Sequence, residues 1–266
     1  MMCRMAALRS ARDRRLAAVA VTAATLLAGP VASSPPFQVA LVRETAATVP
    51  SVVAGPFTAY SPSAAAFTDS VGSAAPTAQE ALARLPVKGR APKTGYARSK
   101  FGDGWADTDN DGCSTREEIL QRDLTRKTFR PSRPCPFVAT GVLNDPYSGR
   151  SVAFRRGPKT SGLIQIDHVV ALADAWRKGA QTLTPARRDA FANDPLNLLA
   201  VDAELNQLKS ASDAASWLPP NKPYRCQYVA RQVAVKATYG LWITTAEKAA
   251  IAGILATCPG QPLPTR

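Results

Sequence analysis

A single histidine among 266 residues, and five cysteines with no C-x-x-C pair, exclude multi-histidine metal centres, zinc fingers and zinc ribbons. Neither G-x-G-x-x-G nor G-x-x-x-x-G-K-[ST] occurs, so dinucleotide and P-loop chemistry have no foothold. Acidic residues are also scarce, with 20 Asp+Glu against 33 Lys+Arg and a net charge of +13, a balance that points to a polyanionic partner. Apolar side chains, by contrast, make up 45% of the chain and are enough for a substantial core.

The first 32 residues read as a secretory signal. Arg4, Arg9, Arg12, Arg14 and Arg15 form a basic start, the apolar run 16–28 has the length of a signal core, and Gly29 and Pro30 end it. That run is too short to span a bilayer. No cysteine follows it to carry a lipid. Cleavage after residue 32 removes five Arg and Asp13, leaving 28 basic and 19 acidic residues, net +9. The expectation is a basic monomer released to the cell wall or the medium and free of the membrane. Residues 33–76, rich in Ala, Ser, Thr, Val and Pro without helical or strand periodicity, read as a disordered linker. The folded domain is expected over 77–266.

Export makes the remaining cysteines, Cys113, Cys135, Cys226 and Cys258, candidates for two disulfides. Ala230, Val233 and Ala237 follow Cys226 at helical spacing, and Gly240 is placed to stop the helix. Thr244 and Glu247 have the spacing of a capping box that opens a second helix, reaching Cys258. Two helices of nearly equal length joined by a short turn bring Cys226 beside Cys258. Cys113 is then left for Cys135.

Between these points the pattern predicts a short helix through Leu82 and Leu85 and another over 114–124. Strands are expected at 125–129, 137–143 and 151–155, the last two joined by a turn at 144–149. A further strand ends at Asp167, helices are expected over 169–178 and 185–192, and 196–201 is a short apolar strand. The class is α+β, one compact domain with helices added around a β-hairpin and two disulfides as staples. Trp105, Trp176, Trp217 and Trp242 read as core residues.

The chemistry gathers at the lone His168, which follows Asp167 at the end of an apolar strand, where neighbouring side chains point to opposite faces. Asn197 lies at the next strand and Asn206 nine positions on, within the helix after it. A strand with His, a strand with Asn and a helix with a further polar residue is a ββα arrangement.

With these residues in place, the sequence resembles the HNH, or His-Me finger, endonucleases. It is closest in kind to secreted bacterial HNH-family proteins related to the C-terminal domain of GmrSD-type restriction enzymes. The likeness runs from Leu85-Pro86-Val87-Lys88 to Cys258. It includes Trp105-Ala106-Asp107, Thr115-Arg116-Glu117-Glu118, Asp145-Pro146-Tyr147, Asp167-His168, Asn197-Leu198, Asn206 with Lys209, and Trp217-Leu218-Pro219-Pro220.

The resemblance implies a ββα-metal core in which Asp167 and Asn206 hold a divalent metal, Mg²⁺ or Mn²⁺, and His168 takes a proton from water. It further implies that Asn197 fixes the loop that aims His168. Asn206 stands where many relatives have a third histidine. Oxygen ligands of this kind suit a hard cation. Lys209 is expected on a substrate phosphate. The implied activity is hydrolysis of phosphodiester bonds in DNA or RNA, with little sequence specificity because no base-reading element is visible. The competing reading is a catalytically idle module that binds nucleic acid or calcium at the wall.

A second motif stands apart. Asp107, Asp109 and Asp111 followed by Gly112 and, six positions later, Glu118 match the spacing of a Ca²⁺ loop. Phe101-Gly102-Asp103-Gly104 is a poor entering helix, and Ser114 replaces the usual apolar residue. A calcium loop outside the EF-hand fold and an Asx-rich turn that caps the helix from 114 are both compatible with the pattern.

Overall fold

The computed structural model describes residues 76–265. The signal over 1–32 and the linker over 33–76, Pro76 aside, lie outside the described residues. Helix α1 (Ala78–Arg84) opens with a capping box in which Thr77 and Glu80 bond each other's backbone. Helix α2 (Thr115–Asp123) leads into an antiparallel meander of β1 (Leu124–Arg130), β2 (Phe137–Asn144) and β3 (Ser151–Arg155). The register runs Leu124 to Leu143 and Asn144 to Ser151, with an irregularity in β1 around Arg126, whose φ is 46°. The turn after β2 closes as its Asn, Pro and Gly predict, with Gly149 at φ 74°.

A second sheet has two strands, β4 (Ile164–His168) and β5 (Leu198–Asp202), paired antiparallel from Ile164 with Asp202 to His168 with Leu198. Between them run α3 (Leu172–Trp176) and α4 (Pro185–Ala192), and directly after β5 comes α5 (Ala203–Lys209). The order strand, strand, helix is therefore present. Helix α3 is shorter than the expected 169–178. The chain leaves β4 in bends held by Asn197, and Lys178 beyond α3 turns inward to an ionic cluster.

Helices α6 (Arg225–Tyr239) and α7 (Thr245–Leu255) form the expected hairpin, with Gly240 in the left-handed region at φ 63°. Disulfides join Cys226 to Cys258 and Cys113 to Cys135, as the spacing predicts. Only half of the predicted capping box at α7 forms. Thr244 accepts from the backbone N–H of Glu247, but the Glu247 carboxylate turns inward to Lys178 at 2.6 Å and Lys236 at 3.1 Å.

Those two lysines belong to an ionic cluster, buried except for the exposed Arg90, in which Arg90, Lys178 and Lys236 face Asp174, Asp213 and Glu247, three charges of each sign. Equal numbers and short contacts offset the loss of water. Apolar packing surrounds the site on three sides. Tyr147, Val169, Tyr228 and Val233 lie in one cluster, Phe101, Trp176, Phe191 and Leu196 in a second, and Ile119, Val138, Ile166 and Leu198 in a third. No helix among the described residues is long and apolar enough to cross a membrane.

Candidate active site

Alternation along β4 sets the site. Gln165 and Asp167, two apart, share a face; α5 lies over it with Asn206 and Lys209, three apart on one helical side. Asn206 Nδ2 donates to Gln165 Oε1 at 2.8 Å, and the side-chain Oδ1 has no hydrogen-bond partner among the described residues. Lys209 Nζ donates to Asp167 Oδ1 at 3.0 Å and to the His168 carbonyl at 2.9 Å. The second Asp167 oxygen accepts from the Tyr147 hydroxyl at 2.6 Å. Burial raises the Asp167 pKa, an effect that Lys209 and the Tyr147 hydroxyl oppose.

This geometry corrects one expectation. Lys209 is fully buried and bound to Asp167 and the chain, so it does not reach a substrate phosphate. A lysine in the last turn of a short helix reads as solvated in sequence, but a buried carboxylate 42 positions upstream draws it inward.

His168 is 6% exposed and its Nε2 lies 2.9 Å from the Ala192 carbonyl. A carbonyl only accepts, so Nε2 carries the proton and Nδ1 keeps the lone pair. Nδ1 makes no hydrogen bond among the described residues. Burial, with help from the nearby positive charge of Arg98, lowers the imidazole pKa to about 3, and the ring is neutral at physiological pH.

Asn197 holds both sides of this arrangement. Its Oδ1 accepts from Val170 N–H at 2.9 Å, and its Nδ2 donates to the carbonyls of Val170 and Phe191, each at 3.4 Å. The residue after His168 also donates its N–H to the Asn197 carbonyl at 2.8 Å. Thus one amide ties the loop after His168 to the segment that supplies the Ala192 carbonyl. Asn197 stands just before β5, in a turn, where its side chain is free to reach backbone.

Trp105 packs against the third core cluster, in keeping with its core reading, and also reaches the site. It is half-buried and stacks on His168, with ring centroids 5.7 Å apart and planes 10° from parallel. The aromatic face limits how the imidazole can tilt. Beside it opens a cavity of about 590 Å³, lined by Trp105, Asp167, His168, Asn206, Arg98 and Arg116, among others. The cavity brings Asp167, His168 and Asn206 together, while Asn197 and Lys209 support it from behind. Sequence reasoning missed Tyr147, Trp105 and the Ala192 carbonyl as parts of the site, although the Asp145-Pro146-Tyr147 segment carried a turn signal.

The acidic loop lies apart from this cavity. Carboxylate oxygens of Asp107, Asp109 and Asp111 come within 4.8 Å of one another, all three residues exposed. Their side chains already cap backbone, Asp107 accepting from Gly112 N–H at 2.9 Å and Asp111 from Cys113 N–H at 2.6 Å. Glu118 faces the three, and burial followed by their like charge raises its pKa.

Residues 114–254 match the family model described as GmrSD restriction endonucleases, C-terminal domain. The chain is also similar to an uncharacterized secreted protein of the fungus Arthroderma benhamiae. The two are 38% identical over 186 residues, 69% of this chain and 86% of the relative, and this relative is fungal where the sequence resemblance pointed to bacterial proteins. No solved structure matches. With the match spanning α2 through most of α7 and enclosing Asp167, His168, Asn197 and Asn206, the chain belongs to the family of GmrSD restriction endonuclease C-terminal domains.

Proposed function

We propose that this protein is a secreted endonuclease of the HNH type that hydrolyses phosphodiester bonds in DNA or RNA with the help of a divalent cation. The observation that carries the reading is His168. It is held neutral, its Nε2 proton is committed to Ala192, and Nδ1 remains as base beside a cavity that contains a carboxylate and a free amide oxygen. Water attacking phosphorus gives its proton to Nδ1. The bond from phosphorus to the 3′ oxygen breaks, and that oxygen takes a proton from solvent. The products are a 5′-phosphate and a 3′-hydroxyl.

The donor chemistry at the cavity fits a hard cation. Asp167 offers carboxylate oxygens that retain lone pairs beyond their bonds to Tyr147 and Lys209, and Asn206 offers a carbonyl whose orientation Gln165 fixes. Mg²⁺ or Mn²⁺ held there supplies electrostatic stabilisation of the charge that develops on the phosphoryl group and leaving oxygen. Lys209 and Tyr147 hold the Asp167 carboxylate in place, and Asn197 and Trp105 hold the base.

Export is supported by the basic-apolar start of the chain, the paired disulfides and the secreted relative. The net positive charge supports phosphate-led binding with little base discrimination. Plasmid digestion by the purified protein, with and without Mg²⁺, tests the reading. Asp167→Ala and Asn206→Ala are expected to need more metal for the same rate. We read Asp107, Asp109, Asp111 and Glu118 as a Ca²⁺ loop that steadies the entry to α2, on the strength of their spacing and of the three gathered aspartate carboxylates.

A further inference from the structure

The first turn of α2 sends three neighbouring charged side chains to three destinations. Glu117 turns into the β1–β3 meander, where it pairs with Arg156 and accepts from Val138 N–H. Glu118 faces the acidic loop. Arg116, half-buried, lines the catalytic cavity with Gln165, Asp167, His168 and Asn206.

Arg116 has no carboxylate partner among the described residues. Its Nη2 donates to the carbonyls of Ser161 and Ile164, each at 3.3 Å, and these two contacts fix the side chain against the start of β4. Nε and Nη1 have no acceptor among the described residues. Burial, and after it the like charge of Arg156, act against the guanidinium and lower its pKa, while Glu117, which is paired with Arg156, opposes them. A cation brought out of water, pinned by neutral acceptors and left without an anion is incomplete as a purely structural element. Its planar fork matches the oxygens of a phosphate.

Resting on the nuclease reading, we infer that Arg116 binds a non-bridging oxygen of the phosphate that is cleaved, the role the sequence assigned to Lys209. In that position the guanidinium stabilises charge on the phosphoryl group within the cavity it lines with Gln165 and Asn206, while Arg98, which lines the same cavity, also borders a second one with His168 and Trp105. The contact is catalytic because it touches the reacting group, and it carries no base information.

The test uses two substrates, a plasmid and bis(p-nitrophenyl) phosphate, the second having no neighbouring phosphates. Arg116→Gln keeps a donor for the Ser161 and Ile164 carbonyls but removes the charge. It is expected to lower kcat/KM for both substrates on the order of 10²-fold, with partial rescue by added guanidinium ion. Arg116→Lys should fall between the two. Plasmid cleavage lost while bis(p-nitrophenyl) phosphate cleavage stays within about twofold would place Arg116 on a flanking phosphate and overturn the inference. So would unchanged rates on both. If Arg116→Gln does not fold, the Arg116→Lys comparison on the same two substrates decides. If the unaltered protein cleaves neither substrate, the nuclease reading has failed by itself. The Arg116 contact is then read from duplex binding, where Arg116→Gln should flatten the salt slope by about one unit and an unchanged slope refutes it.

Discussion

His168 Nε2 and the Ala192 carbonyl stand 2.9 Å apart, and that contact decides which ring nitrogen is the base. Because burial also lowers the imidazole pKa to about 3 against 6.5, the unfolded chain binds a proton between those values that the folded chain does not. The stability gained by keeping the ring neutral is therefore complete above about pH 6.5 and is lost as pH falls toward 3. Denaturant titrations in EDTA from pH 4 to 7 should show stability falling with acid. The slope should lessen in His168→Ala by up to about 1.4 kcal/mol per pH unit. Equal slopes would show that His168 titrates normally.

Lys209 is a buried partner of Asp167, and its removal should act on stability before it acts on binding. Lys209→Met is expected to cost about 3–5 kcal/mol in denaturant unfolding, since it removes the cationic partner of the buried Asp167 carboxylate and leaves only the Tyr147 hydroxyl and the His168 backbone to bond it. The salt dependence of duplex binding by the folded variant should match that of the parent. A flatter slope would return Lys209 to the phosphate.

Asn197 acts through His168. Asn197→Ala leaves the Val170 N–H buried without its acceptor and frees the segment that carries the Ala192 carbonyl. The expected costs are about 1–3 kcal/mol of stability and about 10²-fold in kcat from a misplaced base. KM should be nearly unchanged. A loss confined to KM would mean that Asn197 shapes the substrate surface instead.

Calcium should bind outside the catalytic cavity. Millimolar Ca²⁺ is expected to raise the melting temperature, by the equivalent of about 2.7 kcal/mol at a hundred times the dissociation constant. Asp109→Ala and Asp111→Ala should abolish the rise. A melting temperature indifferent to Ca²⁺ would leave the loop as an Asx-rich helix cap.

What was legible in the sequence was local. The helix Arg225–Tyr239, its Gly240 stop, the strand Ser151–Arg155 and the helix Pro185–Ala192 follow from periodicity and turn chemistry. The Cys226 to Cys258 pairing follows from two helices of similar length, and the other pairing then had one solution. Asp167, His168 and Asn206 were singled out by the lone histidine and by the family resemblance, and all three line one cavity. Contacts between distant polar groups left no local mark. Tyr147 and Asp167 are 20 positions apart, and Trp105 reaches His168 from a loop that looked like packing. The six-charge cluster around Lys178 is drawn from five separate segments, each of which reads alone as an ordinary solvated surface.

The most direct measurement is plasmid cleavage by the purified protein and by His168→Ala, each in Mg²⁺ and in EDTA, with circular dichroism to verify folding. The expected result is Mg²⁺-dependent nicking and linearisation by the unaltered protein, and a loss of about 10² to 10⁴-fold in the variant at an unchanged spectrum. Undiminished Mg²⁺-dependent cleavage by folded His168→Ala, free of contaminating nuclease, would contradict the assignment of His168 as the base.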